Sequence, residues 1–250
     1  MDLNADLGEG FGVWRLGDDA GLLDVVTSAN VACGFHAGDP ATMRAVTARA
    51  ATAGVAVGAQ VGYRDLAGFG RRRIEYAFGD LRDDVLYQLG ALDGFCRAAG
   101  TAVRYVKPHG ALYTVATVDQ TQAAAVVAAV RDYDPALPVL CLPGSVLARV
   151  AGAEGLTVVA EGFADRAYQP DGALVPRSAP DAVVTDADAV VERAVLMATT
   201  GRVTAVDGTT VPCAVGSICV HGDTPGAVTL AQRVRAALAV AGVALEPFTA

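Results

Sequence analysis

The first extended segment, "MDLNADL", places a polar residue at every second position: Asp2, Asn4 and Asp6 alternate with Leu3, Ala5 and Leu7. Side chains of a strand point alternately to its two faces, so one face of this segment is polar and the other apolar. The same division recurs further on. In the second candidate strand Ser28, Asn30, Ala32, Gly34 and His36 share one face, and Ala29, Val31, Cys33 and Phe35 share the other. Ala56, Gly58 and Gln60 oppose Val55, Val57, Ala59 and Val61, and Ser217, Cys219 and His221 oppose Ile218 and Val220. An edge strand with one wet face explains a single segment of this kind, but not four. A barrel whose strands turn their apolar face outward to a layer of helices explains all four, and leaves a small, hydrophilic interior.

The order of elements agrees. Apolar extended runs at 2–7, 25–33, 55–61, 103–107, 138–142, 156–160 and 213–220 alternate with helical patterns at 40–53, 81–99, 119–132, 145–153, 186–200 and 225–241. Strand–helix alternation at this spacing predicts a parallel α/β sheet. Asp39-Pro40 reads as an N-cap followed by proline at the first helical position, and Asp80 and Asp119 read as further caps. Gly54, Gly100 and Gly242 read as helix stops. "GRVTAVDGTTVPC", 201–213, breaks the alternation, and Asp207-Gly208 within it predicts a small β-hairpin. No linker or repeat divides the 250 residues, so the expectation is one domain over 1–250, a distorted, TIM-like (β/α) barrel of about the usual ~250 residues. The alternative is a doubly wound open sheet, but no Gly-x-Gly-x-x-Gly fingerprint follows the first strand.

Composition narrows the function. A net charge of −8 argues against nucleic acid or an anionic membrane as partner. The longest apolar stretches are too short to span a bilayer. Five scattered cysteines with no C-x-x-C pair fit reduced thiols, and Met1-Asp2 begins without a basic or apolar leader. A cytoplasmic protein with a small-molecule substrate is expected, and a homo-oligomer is compatible with these features.

All three histidines, His36, His109 and His221, follow candidate strands, where a (β/α) barrel gathers its active site. Asp6 stands nearest the reactive end of the first strand. Lys107, biased to an extended conformation by Pro108, suits an anionic substrate or a developing oxyanion. Asn4, Asn30 and Gln60 on the polar faces, with Glu9 just beyond the first strand, are candidate substrate contacts. Arg71 and Arg72 in "YRDLAGFGRRR", and Arg166 and Arg177 in the long loop "EGFADRAYQPDGALVPR", offer guanidinium forks for a carboxylate or phosphate. For Arg71 or Arg72 taken singly a solvated loop is the plainer explanation, the long loop of Arg166 and Arg177 reads as a lid or binding loop, and capping explains Asp39 about as well as chemistry does. There is no P-loop and no G-x-S-x-G elbow. Asp6, His36 and His109 have the chemistry of metal ligands, but their spacing across separate strands is a weak signal, and no metal is assigned.

The segments "DLNADLGEGFG", "TSANVACGFHAGDP", "GYRDLAGFGRR", "LYQLGAL", "VKPHGALY", "FADRAY" with "PDGALVPR", and "ICVHGDTP" resemble, in order, successive blocks of the LamB/YcsF family. The resemblance runs from residue 2 to about 240. That family is identified with the A subunit of the bacterial ATP-dependent 5-oxoprolinase. The resemblance implies a barrel similar to that of polysaccharide deacetylases. It also implies a cytosolic hydrolase that opens 5-oxoproline to L-glutamate with ATP as co-substrate, beside partner subunits B and C. One departure is visible: "GAQVGY" stands where the family pattern leads us to expect "GAHPGY", so Gln60 and Val61 replace His-Pro. On this reading Asp6 and His36 are candidates for taking a proton from water, and Lys107 and His109 for stabilising charge on oxygen. His221 and Asp223 would orient a partner group or return a proton to nitrogen. Arg71, Arg72 or Arg177 would hold the substrate carboxylate or a phosphate. Two other classes remain open: a non-catalytic lactam-binding subunit, and a stand-alone metal-dependent deacetylase.

Overall fold

The structure is a computed structural model that describes residues 1–177, 179–223 and 226–249. Its strands are β1 (Asp2–Leu7), β2 (Ser28–Ala32), β3 (Ala56–Val61), β4 (Val103–Pro108), β5 (Val139–Cys141), β6 (Val158–Phe163), β7 (Arg202–Thr204), β8 (Thr210–Pro212) and β9 (Ser217–Val220). Seven of them close into a parallel barrel in the order β1-β2-β3-β4-β5-β6-β9. Closure comes from β9, which pairs with β6 through Glu161↔Ser217 and with β1 through Asp2↔Ser217. The sheet is therefore not the open, doubly wound alternative. The remaining two strands form the expected antiparallel hairpin, with Arg202 opposite Pro212.

The helices are α1 (Asp19–Leu23), α2 (Pro40–Ala53), α3 (Phe78–Ala98), α4 (Gly110–Ala116), α5 (Gln120–Tyr133), α6 (Val146–Ala153), α7 (Ala187–Thr200) and α8 (Ala227–Val240). Asp39 caps α2, accepting from the Thr42 amide at 2.7 Å, and Asp119 caps α5 by accepting from Thr121 and Gln122. Gly54, at φ +70°, ends α2. Asp80 does not cap: α3 begins earlier, with Ala77 at its N-cap, which leaves Asp80 in the first turn, where a carboxylate still complements the helix dipole. Two short helices, α1 and α4, lie outside the helical patterns expected from the sequence.

Three strand boundaries also differ from expectation. β2 starts at Ser28 because Val25 and Val26 are spent closing α1, both donating to the Leu22 carbonyl. β6 runs on to Phe163, since its last three residues pair with β9. β9 starts only at Ser217, because the Cys213 amide donates to Gly201 at the base of the hairpin.

The alternating faces sort as expected. Leu3, Ala5, Leu7, Ala29, Val31, Val57, Ala59, Val61, Val106, Ile218 and Val220 are buried in one apolar cluster with Met43 and Val46 of α2, Leu89 and Leu92 of α3, Val126 and Val130 of α5, and Val234 of α8. This outer shell carries the hydrophobic stabilisation, at roughly 25 cal/mol per Å² of apolar surface buried. The interior is polar and layered. At the bottom, the Asp2 carboxylate accepts from Thr27 at 2.5 Å, Ser28 at 2.6 Å and the Ser217 hydroxyl. Above it, Asn4, Asn30 and Tyr105 are hydrogen-bonded to one another, with the Tyr105 hydroxyl donating to Asn30 Oδ1 at 2.6 Å. The C-terminal segment is tied to the N-terminus, where the Glu246 amide donates to the Met1 carbonyl at 3.1 Å. It also places Phe248 edge-on to Tyr105 at 4.9 Å.

Tyr105 fits because its neighbour on β3 has no side chain. A Cβ on Gly58 would lie 2.2 Å from the Tyr105 ring. Overpacking of this kind typically costs about 1–3 kcal/mol. Gly58→Ala is therefore expected to lower stability by about 3 kcal/mol, and Gly58→Ala combined with Tyr105→Leu to lose less than the two changes summed. Urea midpoints check this, and an unchanged midpoint for Gly58→Ala would contradict the packing described.

Candidate active site

The polar strand faces converge at the C-terminal end of the barrel on a cleft of about 800 Å³. It is lined by Asp6, Lys107, His109, Tyr113, Phe163 and His221, with Arg71, Arg166 and Arg177 among the remaining walls. At its base is one buried ammonium. Lys107 Nζ lies 2.6 Å from Glu161 Oε1, 3.1 Å from Asp6 Oδ1 and 3.3 Å from both Asn4 Oδ1 and Cys219 Sγ. Burial works against the charge on Lys107, but Asp6, Cys219 and Glu161 outweigh it and lift its pKa well above the ordinary value. Burial alone would raise Asp6. Lys107, with His221 and His109, reverses this and holds the carboxyl below the usual range, helped by a 2.8 Å bond from Asn30 Nδ2. Glu161 remains raised, because burial outweighs Lys107 there.

The three histidines all reach this end of the barrel, in two different environments. His36 and His109 stack face to face, centroids 3.9 Å apart and planes 14° from parallel, with Phe69 edge-on to both. His36 is wholly buried, and its Nε2 is 3.2 Å from Gln60 Oε1. Burial pushes its pKa down to about 4, and burial together with His36 pushes His109 well below the ordinary value. Glu9 stands 3.6 Å from His109 Nε2, and burial, Asp6 and Asp223 raise its carboxyl well above the normal range. The loop carrying Arg71 covers the pair closely. Gly70, at φ +64°, has no room for a side chain, since a Cβ there would lie 2.8 Å from His36 Cβ. His221 stands apart from this pair, stacked on Phe163 at 5.7 Å. Its Nδ1 is 2.6 Å from Asp165 Oδ2, and its amide also donates to that oxygen at 3.4 Å. Burial would raise Asp165, but His221 holds it below the usual range.

The arginines divide. Arg71, with its guanidinium 4.8 Å over the Phe69 ring, pairs with Asp223 at 2.6 Å, and Arg177 approaches the same carboxylate at 3.7 Å. Arg72 does not reach the cleft. It is two-thirds exposed and bound by Asp65, which also caps the following turn. Arg166 lines the cleft but spends its donors on the Ala182 and Val175 carbonyls at 3.1 and 2.7 Å, fastening its own loop. Arg193 of α7 anchors the same loop through the Ala164 and Arg166 carbonyls. Asn4, Asn30 and Gln60 are wholly buried beneath the cleft, where they hold Lys107, Asp6 and His36 in place and do not form its wall.

Glu161, Asp165, Tyr113 and Phe163 belong to the site and are not singled out by the sequence pattern, whereas Cys219 stands on the polar face that the pattern gave it. The first and fourth follow from the strand's alternation once β6 extends past residue 160. Asp165 and Tyr113 lie inside the quoted segments "FADRAY" and "HGALY".

Among the described residues, two groups bring metal-ligating atoms within 4.8 Å of one another: Asp6 with Cys219 and His221, and Glu9 with His36 and His109. In the first, the Lys107 ammonium already contacts two of the three. In the second, the two imidazole rings are stacked on each other, 3.9 Å between centroids.

The sequence profile of the LamB/YcsF family matches residues 1–250. The chain belongs to this family. It is 60% identical over 248 residues to the 5-oxoprolinase A subunit of Nocardia farcinica, and 61% identical over 248 residues to that of Streptomyces avermitilis, with 99% of each chain covered in both cases. The lactam utilization protein from Thermus thermophilus superposes with a TM-score of 0.94 at 44% identity, covering 99% of both chains. The site of this LamB/YcsF member is thus set in a barrel that a solved relative shares throughout.

The low pKa of His36 makes an acid-stability prediction. The folded chain keeps the imidazole neutral down to about pH 4, whereas the unfolded chain takes up a proton below its ordinary 6.5. The stabilisation is complete above 6.5 and is lost as pH falls from there toward 4, by about 3 kcal/mol. His36→Gln removes this contribution. Between pH 7 and pH 4 its urea-derived stability should fall by about 3 kcal/mol less than that of the wild type, and identical pH dependences would refute the assignment.

Proposed function

We propose that this chain opens the lactam ring of 5-oxoproline to L-glutamate, with ATP consumed as co-substrate, as the A subunit of a cytosolic 5-oxoprolinase completed by subunits B and C. The observation that carries this reading is the convergence, on one cleft, of a buried ammonium, a carboxylate-backed imidazole and two guanidinium groups. The names borne by its close relatives point the same way. The described residues include no helix long and apolar enough to cross a membrane, and all five cysteines are free and buried.

A five-membered lactam is an unreactive amide. A phosphoryl group from ATP on its carbonyl oxygen would make the ring carbon electrophilic. Water then adds to that carbon, the C–N bond breaks as nitrogen gains a proton, and a second water releases phosphate from the acyl phosphate left behind. This chain has no P-loop, so the nucleotide is held either unconventionally here or by a partner subunit. The proton acceptor for water is His221: the Asp165 carboxylate fixes the proton on Nδ1 and leaves the Nε2 lone pair for water. Asp6, expected as a base, serves instead as counter-ion, because a carboxylate held so acidic is a poor proton acceptor. His36, the other expected base, is sealed behind His109. Lys107 stabilises negative charge on the carbonyl or phosphoryl oxygen through its field. Arg71 and Arg177 receive the substrate carboxylate, exchanging it for Asp223.

The test is the complex of this chain with its partner subunits, assayed for 5-oxoproline-dependent ATP hydrolysis and glutamate release. Asp165→Asn should lower kcat by about 10²-fold or more with KM little changed, the scale of general acid–base catalysis. If the wild-type complex released no glutamate, the reading would fail. Full turnover by Asp165→Asn would leave the chain as a lactam-binding subunit whose partners do the chemistry.

A further inference from the structure

Several buried side-chain atoms of the described residues have no well-aligned hydrogen-bond partner, and two of them belong to neighbouring side chains at the cleft: the Tyr113 hydroxyl and Glu161 Oε2. Buried groups left in this way call for an explanation. Tyr113 lines the cleft, and its hydroxyl faces the Glu161 carboxyl. Its ring is held edge-on to Phe163 at 5.5 Å, and the Phe163 ring in turn lies 5.3 Å from the Lys107 ammonium.

Charge counting gives the pair a role. One ammonium serves two carboxylates, Asp6 and Glu161, which leaves room for one more proton. Asp6 also accepts from Asn30 and is stabilised as the anion. Glu161 Oε1 already accepts from Lys107 and Asn4, so the proton belongs on Oε2, the oxygen left without a partner. The other groups acting on Glu161 are neutral or already paired: the phenol of Tyr168 and the thiols of Cys141 and Cys219. Lys107 has three N–H donors and four acceptors within 3.3 Å, so none is left to aim into the cleft.

Resting on the lactam-opening reading above, we propose that Tyr113 is the catalytic proton donor to the ring nitrogen, refilled by Glu161. As the C–N bond breaks, its electron pair stays on nitrogen and takes the Tyr113 hydroxyl proton. The phenolate takes the proton from Glu161 Oε2, leaving a carboxylate against Lys107. The proton lost by water sits on His221 Nε2. Exchange with solvent through the cleft restores both groups before the next turnover.

In the reconstituted complex, Tyr113→Phe and Glu161→Gln should each lower kcat about 10²-fold with KM within about twofold, and the double variant should be no slower than either alone. The solvent deuterium isotope effect on kcat should rise in Tyr113→Phe, since protonation of nitrogen becomes limiting. Near-normal kcat, a loss confined to KM, or losses that multiply would overturn the relay. If Glu161→Gln fails to fold, as a thermal melt would show, Tyr113→Phe decides alone, because it removes the hydroxyl and keeps the ring that packs edge-on to Phe163. A wild-type complex without turnover would instead sink the functional reading on which the relay rests.

Discussion

A lysine ammonium held inside a closed barrel is the constraint from which the rest of the interior follows. Removing a charge of this size from water costs several kcal/mol even after relaxation, and the cost is recovered only if every donor finds an acceptor. Lys107 sits at 2% exposure, so its acceptors must come from the interior itself. Glu161 and Asp6 supply charge, and Asn4 and Cys219 complete the shell. Those acceptors need partners in turn, which is why Asn30 stands beside Asp6 and Tyr105 beside Asn30. Tyr105 then needs the empty place that Gly58 provides. One cation on β4 thus dictates residues on β1, β2, β3, β6 and β9.

Such a network is a poor source of stability, since a buried ion pair commonly does no better than apolar side chains of the same volume. The barrel is stable because its other face is not compromised. The outward strand residues of the apolar cluster, from Leu3 to Val220, are aliphatic and buried against the helices, so the cluster surrounds a polar centre. This inverts the usual (β/α) barrel, whose interior is filled with branched aliphatics. The inversion works because the bottom is sealed: Asp2 with its hydroxyl partners and Tyr105 beneath Phe248 keep water from entering there, so the charged layer meets solvent only at the cleft. In that low dielectric the field of Lys107 reaches a bound oxygen with little screening.

What the sequence made legible was the alternation, because it is local. Asp2, Asn4 and Asp6, Ser28 and Asn30, and Ser217 and Cys219 all turn inward as their parity demanded, and the hairpin, most helices and the convergence of the three histidines follow from spacing. The rest depends on contacts between distant segments. Glu161 escapes notice because the apolar run Val158-Val159-Ala160 suggests a strand that stops there, whereas pairing with β9 carries it on to Phe163. Asp165 looks like any loop carboxylate until β9 brings His221 against it, 56 residues on. Arg72 and Arg166 have the right chemistry for an anion, but each is taken by a neighbour, Asp65 in one case and two loop carbonyls in the other. No pattern in their own segments reveals that competition. Gln60, the departure from the expected family pattern, is wholly buried, with its Oε1 toward His36 Nε2, so it acts on the imidazole pair from behind.

The same residue type ends in opposite states at the mouth, and the difference lies in what each ring faces. His36 and His109 face each other, an amide and the Glu9 carboxyl, and burial outweighs the opposing pull of Asp6, so both pKa values lie below the ordinary one. They behave as flat, polar packing that shapes one wall. His221 faces a carboxylate that burial cannot protonate, because the ring itself holds Asp165 ionised. An imidazolium at this position would have its counter-charge in place beforehand, which is what the proposed role of His221 as proton acceptor requires. The division of labour among three identical side chains therefore rests on one aspartate.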